Sequence, residues 1–162
     1  MCSEIRNKGL RIRRGFLPHW EMDGGTYFVT FRLDDSLPDS VVRAYRFERE
    51  NIINTAAQLN RDLTENESDR LRKLYSDRIE SHLDSGLGAC YLKNDVIAEL
   101  VKNALLYFDG ERYKFAAWCV MPNHVHVVFR PFDGCILEKI LHSWKSYTAN
   151  KANEILGLTG YF

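Results

Sequence analysis

The stretch Ala117-Trp-Cys-Val-Met-Pro-Asn-His-Val-His-Val-Val-Phe-Arg-Pro131 reads as two β-strands joined at Met121-Pro-Asn123. Pro122 has no N–H to give to a central ladder, so the chain turns there, and the flanking apolar runs have the length of strands. Side chains alternate faces along a strand. Val125, Val127 and Phe129 therefore go to one side, and His124 and His126 go together to the other. The rest of the fold is read outward from this hairpin with two imidazoles on one face.

Upstream, Thr26-Tyr-Phe-Val-Thr-Phe-Arg-Leu33 follows the turn signal Asp23-Gly24-Gly25 and predicts a first strand with Tyr27, Val29, Phe31 and Leu33 on one face. From Asp39, taken as a cap, apolar positions at Val42, Tyr45, Ile52, Ile53, Ala56 and Leu59 recur at helical spacing. Thr64-Glu-Asn-Glu67 has the form of a capping box. The stripe Leu71, Leu74, Tyr75, Ile79 and Leu83 continues a charged helix as far as Gly86 and Gly88. Asn94 caps a further helix that buries Ile97, Leu100, Val101, Ala104 and Leu105 and stops at Asp109-Gly110. Beyond the hairpin, Leu137, Leu141, Trp144, Thr148, Ala152 and Ile155 line a last long helix ending near Gly157. Strand, helices, strand, strand, helix is an α+β order. It predicts a ferredoxin-like antiparallel sheet with helices on one face and a helical insertion at about residues 61–90, in one domain spanning 1–162.

The 162 residues are 45% hydrophobic and 27% charged, which suits one soluble domain. No apolar run approaches the ~20 residues of a membrane span, and no signal-type segment follows Met1, so a cytoplasmic protein with no membrane partner is expected. Cys2, Cys90, Cys119 and Cys135 form no C-x-x-C pair and are expected to be reduced and mostly buried. The net charge is zero but uneven. Residues 1–20 form a basic arm with five Lys/Arg against one acid, and residues 112–151 carry six against two, whereas residues 61–84 carry seven acids against five bases. Charge alone reads most simply as solvated surface with a basic tail.

Two histidines on one strand face can be packed core residues satisfied by hydrogen bonds. Up to four ring nitrogens then need partners, and the neighbouring apolar residues supply none. A shared metal ion explains the pair more economically. His19, His82 and His142 have no such companion and are expected outside the site.

Four segments together, in order through nearly the whole chain, resemble the single-tyrosine HUH transposases, in particular the REP-associated branch of the insertion-sequence-200-like group. They are Leu17-Pro-His-Trp20, Tyr27-Phe-Val-Thr-Phe-Arg-Leu33 with Asp35-Ser-Leu-Pro38, Ala117 to His126 with its Met-Pro-Asn-His-Val-His string, and Leu141-His-Ser-Trp-Lys-Ser-Tyr-Thr-Ala149. The resemblance implies an enzyme of DNA transposition and recombination that nicks and joins single-stranded DNA beside hairpins. His124 and His126 match its metal-binding histidines, which would hold Mg²⁺ or Mn²⁺ against the scissile phosphate. A tyrosine would attack in line and conserve the bond as a 5′-phosphotyrosine. Related enzymes often work as dimers, so a homodimer stays open.

The chain departs from that pattern at its end. The nucleophilic tyrosine of the family lies on a helix after a Gly-x-Phe-Trp-Gln-type segment, and Gly160-Tyr161-Phe162 falls about where that segment begins. No catalytic residue is therefore expected in this chain, read as a fragment of a longer enzyme or a truncated relic and inactive by itself. Tyr147 precedes the missing region and is expected to pack or to touch DNA; Tyr161 belongs to the junction. Arg11, Arg13, Arg14, Arg130, Lys145 and Lys151 are the expected DNA-phosphate contacts, with Trp20, Tyr27 and Trp144 as aromatics that either stack on bases or pack. A non-catalytic DNA-binding module is the alternative. A histidine-triad nucleotide hydrolase ranks lower, because Val128 stands where its third histidine would be.

Overall fold

The structure, a computed structural model, describes residues 11–13, 19–21, 24–160 and 162, the first two segments as backbone only. Cys2, Arg14, Tyr161 and the side chains of Arg11, Arg13, His19 and Trp20, on which expectations were placed, lie outside the described residues. In chain order, β1 (Arg11–Arg13) pairs antiparallel with β2 (His19–Glu21) as a separate two-stranded ladder. Next come β3 (Tyr27–Arg32), α1 (Asp39–Gln58), α2 (Glu65–Tyr75), α3 (Ser81–Asp84), α4 (Asp95–Leu106), β4 (Tyr113–Val120), β5 (His124–Pro131) and α5 (Leu137–Leu156).

Strands β3, β5 and β4 form an antiparallel sheet in that order, so the histidine strand is central. This α+β arrangement places the strands as the first three of a ferredoxin-like sheet are placed. Val125, Val127 and Phe129 are buried on one face beneath α4 and α5, with Ile97, Leu105, Trp144 and Ala152. The Tyr113 hydroxyl donates to the Leu105 carbonyl (2.6 Å) and accepts from Trp144 Nε1 (2.9 Å), tying the edge of the sheet to both helices. The C-cap of α5 is Gly157 in the left-handed region (φ 66°), where a Cβ would be strained.

Between β3 and α4 the chain builds a second, smaller core of Leu37, Ile79 and Leu83 with Val42, Tyr45 and Tyr75 around it. Its return loop is fastened to the hairpin turn and to the segment that follows β3. Asn123 Nδ2 donates to the Leu87 carbonyl (3.0 Å), Leu92 N–H to the Pro122 carbonyl (3.1 Å), and Ala89 N–H to Asp35 Oδ2 (2.7 Å). Gly88 passes so close that a Cβ there would meet the Asp35 carbonyl oxygen at 2.8 Å, so only glycine fits. This stitching leaves Asn123 and His124 with 0% and 1% exposure.

Several local expectations are corrected. The N-cap of α1 is Pro38, and Asp39 is the first helical residue, making no capping bond. Leu59 and Ile155 face solvent, while Ile140 joins the buried side of α5. Of the described cysteines only Cys90 is buried; Cys119 is exposed and Cys135 intermediate. A bulge between Phe115 and Ala117 turns Trp118 toward the core face and Cys119 toward the histidine face, beside His126.

Candidate metal and nucleic-acid site

Strand alternation and the antiparallel register put Thr30 opposite His126 and Arg32 opposite His124, all on the sheet face away from α4 and α5. The two Nε2 atoms lie 2.9 Å apart with the rings at 82°. His124 Nδ1 is 2.8 Å from Asn123 Oδ1, and His126 Nδ1 is 2.9 Å from Thr30 Oγ1. Phe28 stacks on the His126 ring, with centroids 5.4 Å apart and planes 19° apart, although Phe28 itself is 59% exposed. The expectation that the ring nitrogens lack protein partners is therefore corrected: Asn123 and Thr30 supply them, from a turn and a neighbouring strand.

Asn123 also fixes a tautomer. Its Nδ2 donates to the Leu87 carbonyl, so the atom facing His124 is Oδ1, an acceptor, and His124 carries its proton on Nδ1. The Nε2 lone pair of His124 then points toward His126. Burial, and after it the neighbouring His126, lower the pKa of His124 against the opposing pull of Asp84. Both effects favour the neutral ring, the form that binds metals.

The donor set fits a divalent ion in a defined way. Two nitrogens 2.9 Å apart match adjacent ligands of an ion held by bonds of about 2.1 Å at about 90°. Among the described residues no group of three or more His, Cys, Asp or Glu side chains is placed to hold a metal. The pair would thus supply two nitrogen ligands and leave the remaining positions of the ion to oxygen ligands such as water.

Beside the pair, a cleft of about 1370 Å³ runs between α1, the outer edge of β3 and α5. Arg32, Arg46, Arg49, His142 and Lys145 line it against Asp34 and Glu50, and Thr30 reaches it from the histidine side. Burial, and next the charge of Arg32, lower the pKa of Lys145, so these two cations sit within each other's field. Arg32 Nη1 donates to the Leu33 and Asp34 carbonyls (2.8 and 2.6 Å), which holds the guanidinium at the rim.

Of the expected DNA contacts with described side chains, only Lys145 lies in this cleft. Arg130 is exposed on the histidine face, paired in register with Lys114, about 13 Å along the strand from His126. Lys151 is exposed on α5 and engaged with Glu154 at 2.7 Å. Trp144 and Tyr27 pack on the core, and Tyr147 is 51% exposed. Sequence reading missed Thr30, Asn123, Arg32, Arg46 and Arg49. The signal for Thr30 was its place on the polar side of the first strand; for the arginines it was the three-residue spacing of Arg46 and Arg49 on α1.

Comparison of the chain with protein-family models, with curated proteins and with solved structures finds no match.

Proposed function

We propose that this chain is the metal- and DNA-binding domain of an enzyme that nicks and joins single-stranded DNA in the manner of a single-tyrosine HUH transposase. The observation that carries this reading is the convergence of the His124 and His126 Nε2 atoms, 2.9 Å apart, beside a cleft lined by five basic residues. Asn123 and Thr30 hold the two rings, Lys145 and Arg32 attract the sugar–phosphate chain, and Phe28 offers an exposed ring beside the pair. A bound Mg²⁺ or Mn²⁺ would neutralise charge on the phosphate oxygens.

The resemblance assigns the nucleophilic role to none of the tyrosines of residues 1–162. It puts the attacking tyrosine past Phe162. Tyr75, whose hydroxyl contacts Thr30, has its pKa raised chiefly by burial, the wrong direction for an attacking phenolate. We therefore expect residues 1–162 to bind without cleaving. No helix among the described residues is long and apolar enough to cross a membrane.

The test is a hairpin DNA with a single-stranded flank, incubated with the protein and Mn²⁺. The expected result is binding that weakens on chelation and in His124→Ala, with no covalent product on a denaturing gel. Lys145→Ala should lower the slope of log affinity against log salt by about 0.7, one phosphate contact on a single strand. Binding indifferent to chelator and to His124→Ala would favour a non-catalytic DNA-binding module instead. A covalent protein–DNA band would show that one of this chain's own tyrosines attacks.

A further inference from the structure

The hydrogen bonds around the histidine pair form a directed chain. His124 donates from Nδ1 to Asn123, so its Nε2 can only accept. At 2.9 Å the facing Nε2 of His126 must then be the donor, which leaves the Nδ1 of His126 as an acceptor for the Thr30 hydroxyl, also at 2.9 Å. Without metal, every partner is satisfied in one direction: Thr30 to His126, His126 to His124, His124 to Asn123, Asn123 to the Leu87 carbonyl. A cation between the rings needs the Nε2 lone pairs of both. His126 must then carry its proton on Nδ1, and among the described residues the group facing that nitrogen is the Thr30 hydroxyl.

We propose that Thr30 is the positioning residue that lets His126 change tautomer and thereby gates divalent-cation binding, its hydroxyl turning from donor to acceptor as the ion enters. The proton moves from Nε2 to Nδ1 of one ring, so no net proton is gained or lost. A hydroxyl is the side chain suited to this, because it can reverse its role by rotating about one bond. Its own hydrogen then needs an acceptor, and the Tyr75 hydroxyl lies alongside, contributed by the helical unit rather than by the sheet. The metal-bound state would thus draw on a residue of α2, Tyr75, as well as on the sheet. The inference rests on the metal-site reading above and goes past it in assigning a residue outside the ligand pair.

The experiment pairs a ¹⁵N NMR measurement of the His126 ring, without and with Mg²⁺, with Mn²⁺ titrations of wild type, Thr30→Ser and Thr30→Val followed by EPR. The expected result is an Nε2–H ring without metal that becomes Nδ1–H with Mg²⁺. Mn²⁺ affinity should be kept by Thr30→Ser and weakened about 10–100-fold by Thr30→Val. If wild type takes up no Mn²⁺, the metal site itself is refuted and this inference with it. If wild type binds Mn²⁺ but its metal-free His126 is already Nδ1–H, or Thr30→Val binds as tightly, the site stands and the role of Thr30 is overturned. The tautomer measurement needs only the wild-type chain, so a valine variant that misfolds does not remove the test.

Discussion

A single hydroxyl shows how much depends on individual polar groups inside this fold. Tyr113 is 1% exposed, and its oxygen serves both the Leu105 carbonyl and the Trp144 indole. Tyr113→Phe keeps the ring packing against Phe129 and Trp144 but strands two buried partners. Leaving buried polar groups unpaired costs about 1–3 kcal/mol. Urea denaturation should therefore show a loss of that size with an unchanged m-value, and an unchanged midpoint would mean that water replaces the hydroxyl. The same reasoning separates what could be read from the sequence at this scale from what could not. The shared face of His124 and His126 follows from period-two alternation and is found as expected. Asn123 and Thr30 were hidden, because their roles depend on which loop closes under the turn and which strand lies opposite, and neither is a local property of the chain.

Among the elements, α2 was the most legible, because its start is set by local chemistry. Thr64 and Glu67 form the reciprocal capping box, and Arg61 grips both Glu67 oxygens at 2.7 and 2.9 Å. The hydrogen bond from Arg61 is the largest cause holding the Glu67 carboxyl at about 2, with the Thr64 backbone N–H next. A carboxylate whose folded pKa lies below its unfolded value stabilises the fold above the unfolded value, and that contribution fades as pH falls toward about 2. Wild type should therefore exceed Glu67→Gln in stability at pH 7, and the gap should narrow as acid denaturation is followed down to pH 2.5; a constant gap would refute the ionic part of the cap. Just beyond, residues Ser76–Glu80 form a π-turn that sequence periodicity did not announce. Ile79, within it, and Leu83, four residues on, both reach the small core with Leu37. The β4 bulge escaped for a similar reason. Its placement of Trp118 on the core face is decided by pairing with β5, whereas uninterrupted alternation would have put Ala117 and Cys119 there.

For the whole molecule, the α+β order was readable because each element carries its own punctuation: Pro122 in the hairpin turn, the capping box at 64–67, Asn94, and Gly157 at the end of α5. The cleft was not readable, since it arises where α1, the edge of β3 and α5 meet, three segments far apart in sequence. It gathers Arg32, Arg46, Arg49 and Lys145 from runs that look unremarkable in the overall charge balance of zero. The helical unit that forms one wall of this cleft also supplies the loop that buries His124, so the cleft and the proposed ion site depend on the same packing. All of this turns on whether the two rings share an ion. The most direct measurement is the anomalous scattering of Mn²⁺ soaked into crystals of this protein. The account predicts one peak within bonding distance of Nε2 of both His124 and His126, lost in His126→Ala; a peak elsewhere, or none beside the intact pair, would contradict it.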